Sequence, residues 1–151
     1  MAKYTEGLLF INEKDVFTQY GAFLVEDKPG DHTNYSEMLK PPAMKAYTAV
    51  AFREQDGEKL PDVLLPRFEA RDVTLYFAII AETKALFVAR YIAFVTLLKS
   101  GWLNIRVPEL DKTYRVYYKE CSKYDQLTYL KDEAVYASRF KLKLREPKPT
   151  I

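Results

Sequence analysis

Cysteine and histidine are almost absent. Cys121 and His32 are the only ones in the 151 residues, so neither a Cys/His zinc cage nor a disulfide framework can be built within one chain. Any Ser-His-Asp or Cys-His arrangement would have to use His32, which lies in the polar segment Pro29-Gly30-Asp31-His32-Thr33 and reads as a solvated loop histidine. Cys121 follows a Tyr-rich stretch and carries no nucleophile signature. Glycine is equally scarce. The five glycines, at 7, 21, 30, 57 and 101, are all isolated, which excludes a phosphate loop and a dinucleotide fingerprint. No cofactor signature is present, and no catalytic set announces an enzyme.

Charge of one sign is missing too. Twenty-three basic residues face 21 acidic ones, for a net charge of +2, which is not the basic footprint of a dedicated nucleic-acid binder. There is no long apolar run. The most apolar stretch, Tyr91 to Leu98, is held between Arg90 and Lys99 and falls far short of the roughly 20 residues of a membrane span. The start, Met-Ala-Lys-Tyr-Thr-Glu-Gly, lacks the charged-then-apolar pattern of a secretory signal. The expectation is a chain made in the cytoplasm, with no membrane partner; a lone Cys121 fits a reducing compartment.

What remains is the composition of a globular protein with one aromatic-rich domain. Hydrophobic residues are 48% of the chain, and 12 Tyr and 9 Phe supply bulky core and interface material. A chain of 17.6 kDa buries about 70% of its unfolded surface, so a core can form without disulfides or metal.

Three regions differ in legibility. In the first, Leu8 to Ile11 and Tyr20 to Val25 read as short strands bounded by turn residues. The second, from Glu26 to Pro66, holds Pro29, Pro41, Pro42, Pro61 and Pro66 and reads as a long loop or arm. Within it, Ser36 to Lys40 offers one helical turn that Pro41-Pro42 must end. Ala46 to Phe52 offers a strand, followed by a turn at Gln55-Asp56-Gly57. Its apolar content (Tyr35, Met38, Leu39, Met44, Tyr47, Val50, Phe52) argues against simple disorder. An unstructured loop of that length is usually functional or ordered by a partner.

The third region, 67–147, is strand, helix and antiparallel meander. Asp72 to Ala81 alternates as a strand covered on both sides. Glu82 and Thr83 supply N-terminal capping chemistry for a helix spanning about residues 83–100. Phe87, Tyr91, Phe94 and Leu98, with Val88, Ile92 and Val95 beside them, give that helix a broad apolar stripe for a sheet or another chain. Gly101 then stops the helix. Leu103 to Val107 and Tyr114 to Lys119 read as strands around a turn at Pro108 to Lys112, and Asp125 to Leu130 as another short strand. Ala134 to Arg145 reads as the last strand, and residues 148–151 as an extended tail. The fold class expected is α+β, mainly β: an antiparallel β-sandwich or partial barrel flanked by one helix, in a single domain.

The candidates for chemistry are few. Glu69, Arg71 and Asp72 cluster before the long strand and read as a surface ion pair or strand-end contact. Glu109 and Asp111 sit in a turn, where acids are common for local backbone reasons. Arg139, Lys141, Lys143 and Arg145 repeat at every second residue, so all four project from one face. That stripe reads as a solvated face protecting an edge strand, as a surface for an acidic partner subunit, or as a nucleic-acid groove with neighbouring tyrosines as stacking platforms. Arg106, Arg115, Tyr117 and Tyr118 form a second group, with Tyr114, Tyr124 and Tyr129 nearby. Tyr and Arg are the residues of interface hot spots, and an ordinary hairpin with cross-strand aromatic pairs reads equally well.

The order of residues carries a resemblance. Leu65-Pro66-Arg67-Phe68-Glu69-Ala70-Arg71-Asp72-Val73-Thr74-Leu75 leads into a strand. Tyr91-Ile92-Ala93-Phe94-Val95-Thr96-Leu97-Leu98-Lys99-Ser100-Gly101 follows on the helix. A hairpin with Tyr114-Arg115-Val116-Tyr117-Tyr118 and a closing strand complete the pattern. From about Pro66 to Pro147 this resembles the N-terminal ring-forming domain of phage and prophage distal tail proteins, and more loosely the tail-tube fold. The resemblance implies a virion structural protein that forms a homo-oligomeric, hexameric ring between tail tube and tail tip or baseplate. It implies other tail proteins as partners and a lumen through which DNA passes. The second, carbohydrate-module-like domain common in the family is expected to be missing. A tube subunit, a completion protein and a short distal tail protein stay open. The alternative function is a small β-rich binding module for single-stranded nucleic acid.

Overall fold

A computed structural model describes residues 7–26 and 28–150. The first six residues, Asp27 in the expected turn and Ile151 at the end of the tail lie outside the described residues. Seven strands form one antiparallel sheet in the order β2-β1-β5-β6-β7-β4-β3. They are β1 (Phe10–Ile11), β2 (Lys14–Asp15), β3 (Ala22–Leu24), β4 (Arg71–Ala81), β5 (Trp102–Val107), β6 (Lys112–Gln126) and β7 (Tyr136–Glu146). The helices are α1 (Val16–Tyr20), α2 (Thr33–Leu39) and α3 (Lys84–Leu98). The sheet curls into a half-barrel, so the α+β, mainly β expectation holds in its partial-barrel form. The flanking helix is α3; α1 and α2 are added to it.

The spine is the pair β4–β7, in register from Arg71↔Glu146 to Ala81↔Tyr136. Both strands alternate, so Val73, Leu75, Phe77 and Ile79 meet Leu144, Leu142, Phe140 and Ser138 on one face, and all eight are buried. α3 lies on that face. Thr83 caps it by accepting the Leu86 amide at 3.1 Å. Phe94 packs its ring between Phe77 at 5.4 Å, Phe140 at 5.7 Å and Tyr20 at 5.8 Å between ring centroids. Aromatic pairs at these separations add attraction beyond the area they bury. The opposite, outer face of the sheet carries the alternate residues of β4 to β7.

Several boundaries differ from expectation. The run Tyr20 to Val25 is split: Asp15 caps α1 by accepting the Phe17 amide at 3.1 Å, Gly21 ends it in the left-handed region, and only Ala22–Leu24 is strand. The single helical turn before Pro41-Pro42 is the seven-residue α2. Ala46 to Phe52 is not a strand, because its one ladder contact is the isolated bridge Val50↔Lys59. Asp125 to Leu130 is not a separate strand either. β6 runs unbroken to Gln126 and a loop follows. Two register shifts, at Lys119 and Ser122, bend β6 and change which residues face out.

Candidate interaction surfaces

Three surfaces stand out: the outer sheet face, the exposed side of α3, and the arm. The arm comes from the Pro-rich region. Thr33–Leu39 is drawn onto the body as α2, which buries Asn34 and Met38, whereas Ala43 to Arg67 stay almost wholly exposed. The arm's root is closed by Lys45 donating to the Arg67 carbonyl at 2.8 Å and Glu69 donating to that of Ala43 at 2.7 Å. Its outer part is closed by reciprocal Val50 and Lys59 backbone bonds of 2.9 and 2.7 Å. Along the arm Val50, Phe52, Val63, Leu64 and Leu65 are exposed, Val63 at 73%.

The body grips the arm's root through Arg71. Its guanidinium donates 2.7 Å to Glu146, 3.1 Å to the Met38 carbonyl, and also to the Lys40 carbonyl. It thereby satisfies carbonyls at the C-terminal end of α2 that the helix cannot pair itself. Glu146 is buried, and the Tyr114 hydroxyl joins the cluster by donating to Met38 at 3.2 Å.

The outer face gathers most of the residues singled out from sequence. Arg106, Arg115, Tyr117, Arg139, Lys141, Lys143 and Arg145 all lie on it, as the register Trp102↔Tyr117, Asn104↔Arg115, Tyr117↔Arg145 and Lys123↔Lys141 requires. Tyr118 does not. It pairs with Leu144, packs against the core, and burial pushes its phenol pKa up. The cause is the pleat: neighbours in a strand face opposite ways.

The basic stripe is largely neutralised inside the chain. Arg145 meets Asp72 at 3.1 Å, Lys143 meets Glu120 at 3.4 Å, and Arg139 meets Asp125 at 3.6 Å. Desolvation works to raise the Asp72 carboxyl, but Arg145 and Lys119 outweigh it and hold the pKa below its ordinary value. Three cations of this face have no carboxylate partner among the described residues. Lys141 sits 5.4 Å over the Tyr76 ring, Arg106 4.1 Å over Phe10, and Arg115 4.3 Å over Trp102. Trp102 in turn meets Tyr117 edge-on at 5.9 Å. Phe10, Tyr76 and Trp102 were not legible as members of this face from sequence spacing, because they reach it from other strands.

α3 is apolar all round, yet it buries only Phe87, Phe94 and Leu98 among its large apolar residues, with Leu97 half-buried. Val88, Tyr91, Ile92 and Val95 stay exposed, Ile92 at 57%. Tyr91 contacts Tyr124 at 5.8 Å, which extends this apolar side towards the end of β6. A helix without a polar face is ordinarily covered on all sides.

The other candidates are dispersed. His32 is exposed, with Nδ1 3.6 Å from Glu26. Cys121 is exposed on β6, where its thiol donates to the Lys123 carbonyl at 3.2 Å. Arg71 and Asp72 point to opposite faces, so the cluster with Glu69 forms no carboxylate pair. Glu109 accepts the Tyr35 hydroxyl, and Asp111 ends the turn in the left-handed region. Among the described residues no group of His, Cys, Asp and Glu could hold a metal ion.

No protein-family model matches the chain, and no curated protein does. A solved structure does match, over 94% of this chain, at a TM-score of 0.54 and 13% identity. It is the SPP1 Dit protein. Its structure is described as a paradigm of the hub adsorption apparatus in phages that infect Gram-positive bacteria. The likeness lies in the fold, and this chain spans about half the length of Dit, 52%.

Proposed function

We propose that the protein is a structural component of a phage or prophage tail, a distal-tail-like subunit that self-assembles into a ring between tail tube and tip or baseplate. The observation that carries this reading is the match in fold to a phage hub protein along nearly the whole chain. The surfaces support it. A ring needs a heterologous contact that closes on itself, and the exposed side of α3 and the arm are two different apolar surfaces of one chain. The virion tail is then its location, other tail proteins its neighbours, and a hexamer the closed form, with DNA passing through the lumen. The nucleic-acid alternative loses ground, because Arg139, Lys143 and Arg145 are already engaged by carboxylates of the same chain.

The test is mass in solution across a concentration series, by light scattering coupled to size exclusion. A closed hexamer is the expected result. A strict monomer at every concentration would overturn the ring, and steeply salt-dependent binding to single-stranded DNA would then put the binding module in its place.

A further inference from the structure

We propose that the arm's tip docks, by charge, on the outer sheet face of the next copy. This rests on the ring reading above and names the contact that would join its subunits. The tip between the Val50 and Lys59 clasp and Asp62 carries four carboxylates, Glu54, Asp56, Glu58 and Asp62, against the cations Arg53 and Lys59. All six are exposed, and among the described residues none of them forms a salt bridge. The outer sheet face has the complementary deficit. Arg106, Arg115 and Lys141 keep their charge without a carboxylate partner.

The two surfaces are prepared for each other in different ways. Seating over the Phe10 and Trp102 rings holds the two guanidinium groups in place, and an aromatic ring leaves their N–H donors unspent for carboxylates. The clasp at Val50 and Lys59 gives the tip a closed loop. The arm contributes nothing to its own core, so its acidic tip has no structural duty in the monomer. Like charges along either surface also oppose docking of tip on tip or face on face. The contact is therefore head-to-tail, the kind that closes a ring.

The experiment uses charge reversal on each side. Glu54→Lys with Glu58→Lys reverses the tip; Arg115→Glu with Lys141→Glu reverses the face. Each double variant is expected to raise the concentration for half-assembly at least about tenfold at low salt. Carrying all four changes in one chain should recover assembly relative to either double variant, because the altered positions then again oppose each other in sign. Circular dichroism and thermal melting should match wild type for the tip variant, since those side chains touch nothing. If wild type assembles and the tip variant assembles equally well, the docking contact is wrong and the ring reading survives. If each double variant dissociates but the four-fold variant is not restored, the contact is likewise overturned. If wild type is monomeric throughout, the ring reading and this contact fall together.

Discussion

The side-chain amide of Asn34 occupies a place in the sheet beside Tyr76. Its Oδ1 accepts the Tyr76 amide at 2.7 Å while its Nδ2 donates to the Val25 carbonyl at 2.7 Å. The wedge sits where β3 stops, and Glu37 continues it by accepting the Thr74 amide at 3.2 Å. α2 thus covers the stretch of β4 that β3 leaves unpaired, a protected edge in place of an exposed one.

Asn34→Ala should therefore cost more than a surface substitution. Buried polar groups left without partners cost about 1–3 kcal/mol. Denaturant unfolding measures the loss, and amide exchange at Tyr76 should speed up ahead of its neighbours. An unchanged midpoint would show that water replaces the side chain without penalty.

The Arg71–Glu146 pair should behave as a unit. Removing one member leaves a buried charge unpaired, at about 3–5 kcal/mol, while replacing both by apolar residues costs much less. Arg71→Met and Glu146→Leu, singly and together, give the coupling by a double-mutant cycle. Additive effects would contradict the arrangement described. The Arg71→Met change should also loosen the arm's root, which proteolysis between residues 41 and 70 would report.

α3 separates folding from association. Phe94→Ala should destabilise the monomer by about 3–5 kcal/mol, because the ring fills the centre of the core. Ile92→Glu should leave monomer stability within about 0.5 kcal/mol and weaken self-association. If Ile92→Glu unfolds the chain, this side of α3 is part of the fold and not a surface.

Tyr35 and Asp72 give opposite pH signatures. Desolvation, then the hydrogen bond to Glu109 and its charge, push the Tyr35 phenol up to about 12. A raised folded-state value means a contribution present below the ordinary 10.0 and lost as pH rises towards about 12. Tyr114 and Tyr118 are also raised by burial, so tyrosinate absorbance should show several late-titrating phenols, one of which disappears in Tyr35→Phe. Asp72 is depressed below 3.8, so its contribution is present above that pH and lost as pH falls through the lower folded value. Asp72→Asn should flatten the acid limb of the stability curve, and a parallel curve would reject the role of Arg145 and Lys119.

The fold was legible wherever the alternation of a strand runs without interruption. β4 and β7 are such strands, and they place Arg139, Lys141, Lys143 and Arg145 on one face correctly. β6 was legible only up to its first bulge. At Lys119 and Ser122 the count of two fails: strict alternation from Tyr117 turns Glu120 inward and Cys121 outward, the reverse of the ladder, and the second shift brings Lys123 and Asp125 back into phase. The neutralised stripe was hidden because its acids come from the neighbouring strands β4 and β6, and only the ladder brings them beside β7. α1 had its signals in Asp15 and Gly21, but five residues are too few to show a helical period. Gly21 matters beyond its positive φ: a Cβ there would lie 2.6 Å from the Arg90 guanidinium and 2.8 Å from the Ile80 carbonyl. Ala46 to Phe52 has a strand's composition without a strand's partner, and composition cannot supply one.

The separateness of the arm has a consequence for how such a protein changes over generations. Residues 46–66 place no side chain in the core, so selection for a stable body is blind to them. Substitutions there change an exposed surface and leave untouched the question of whether the body folds. The grip of Arg71 on the arm's root marks the boundary between these two regimes.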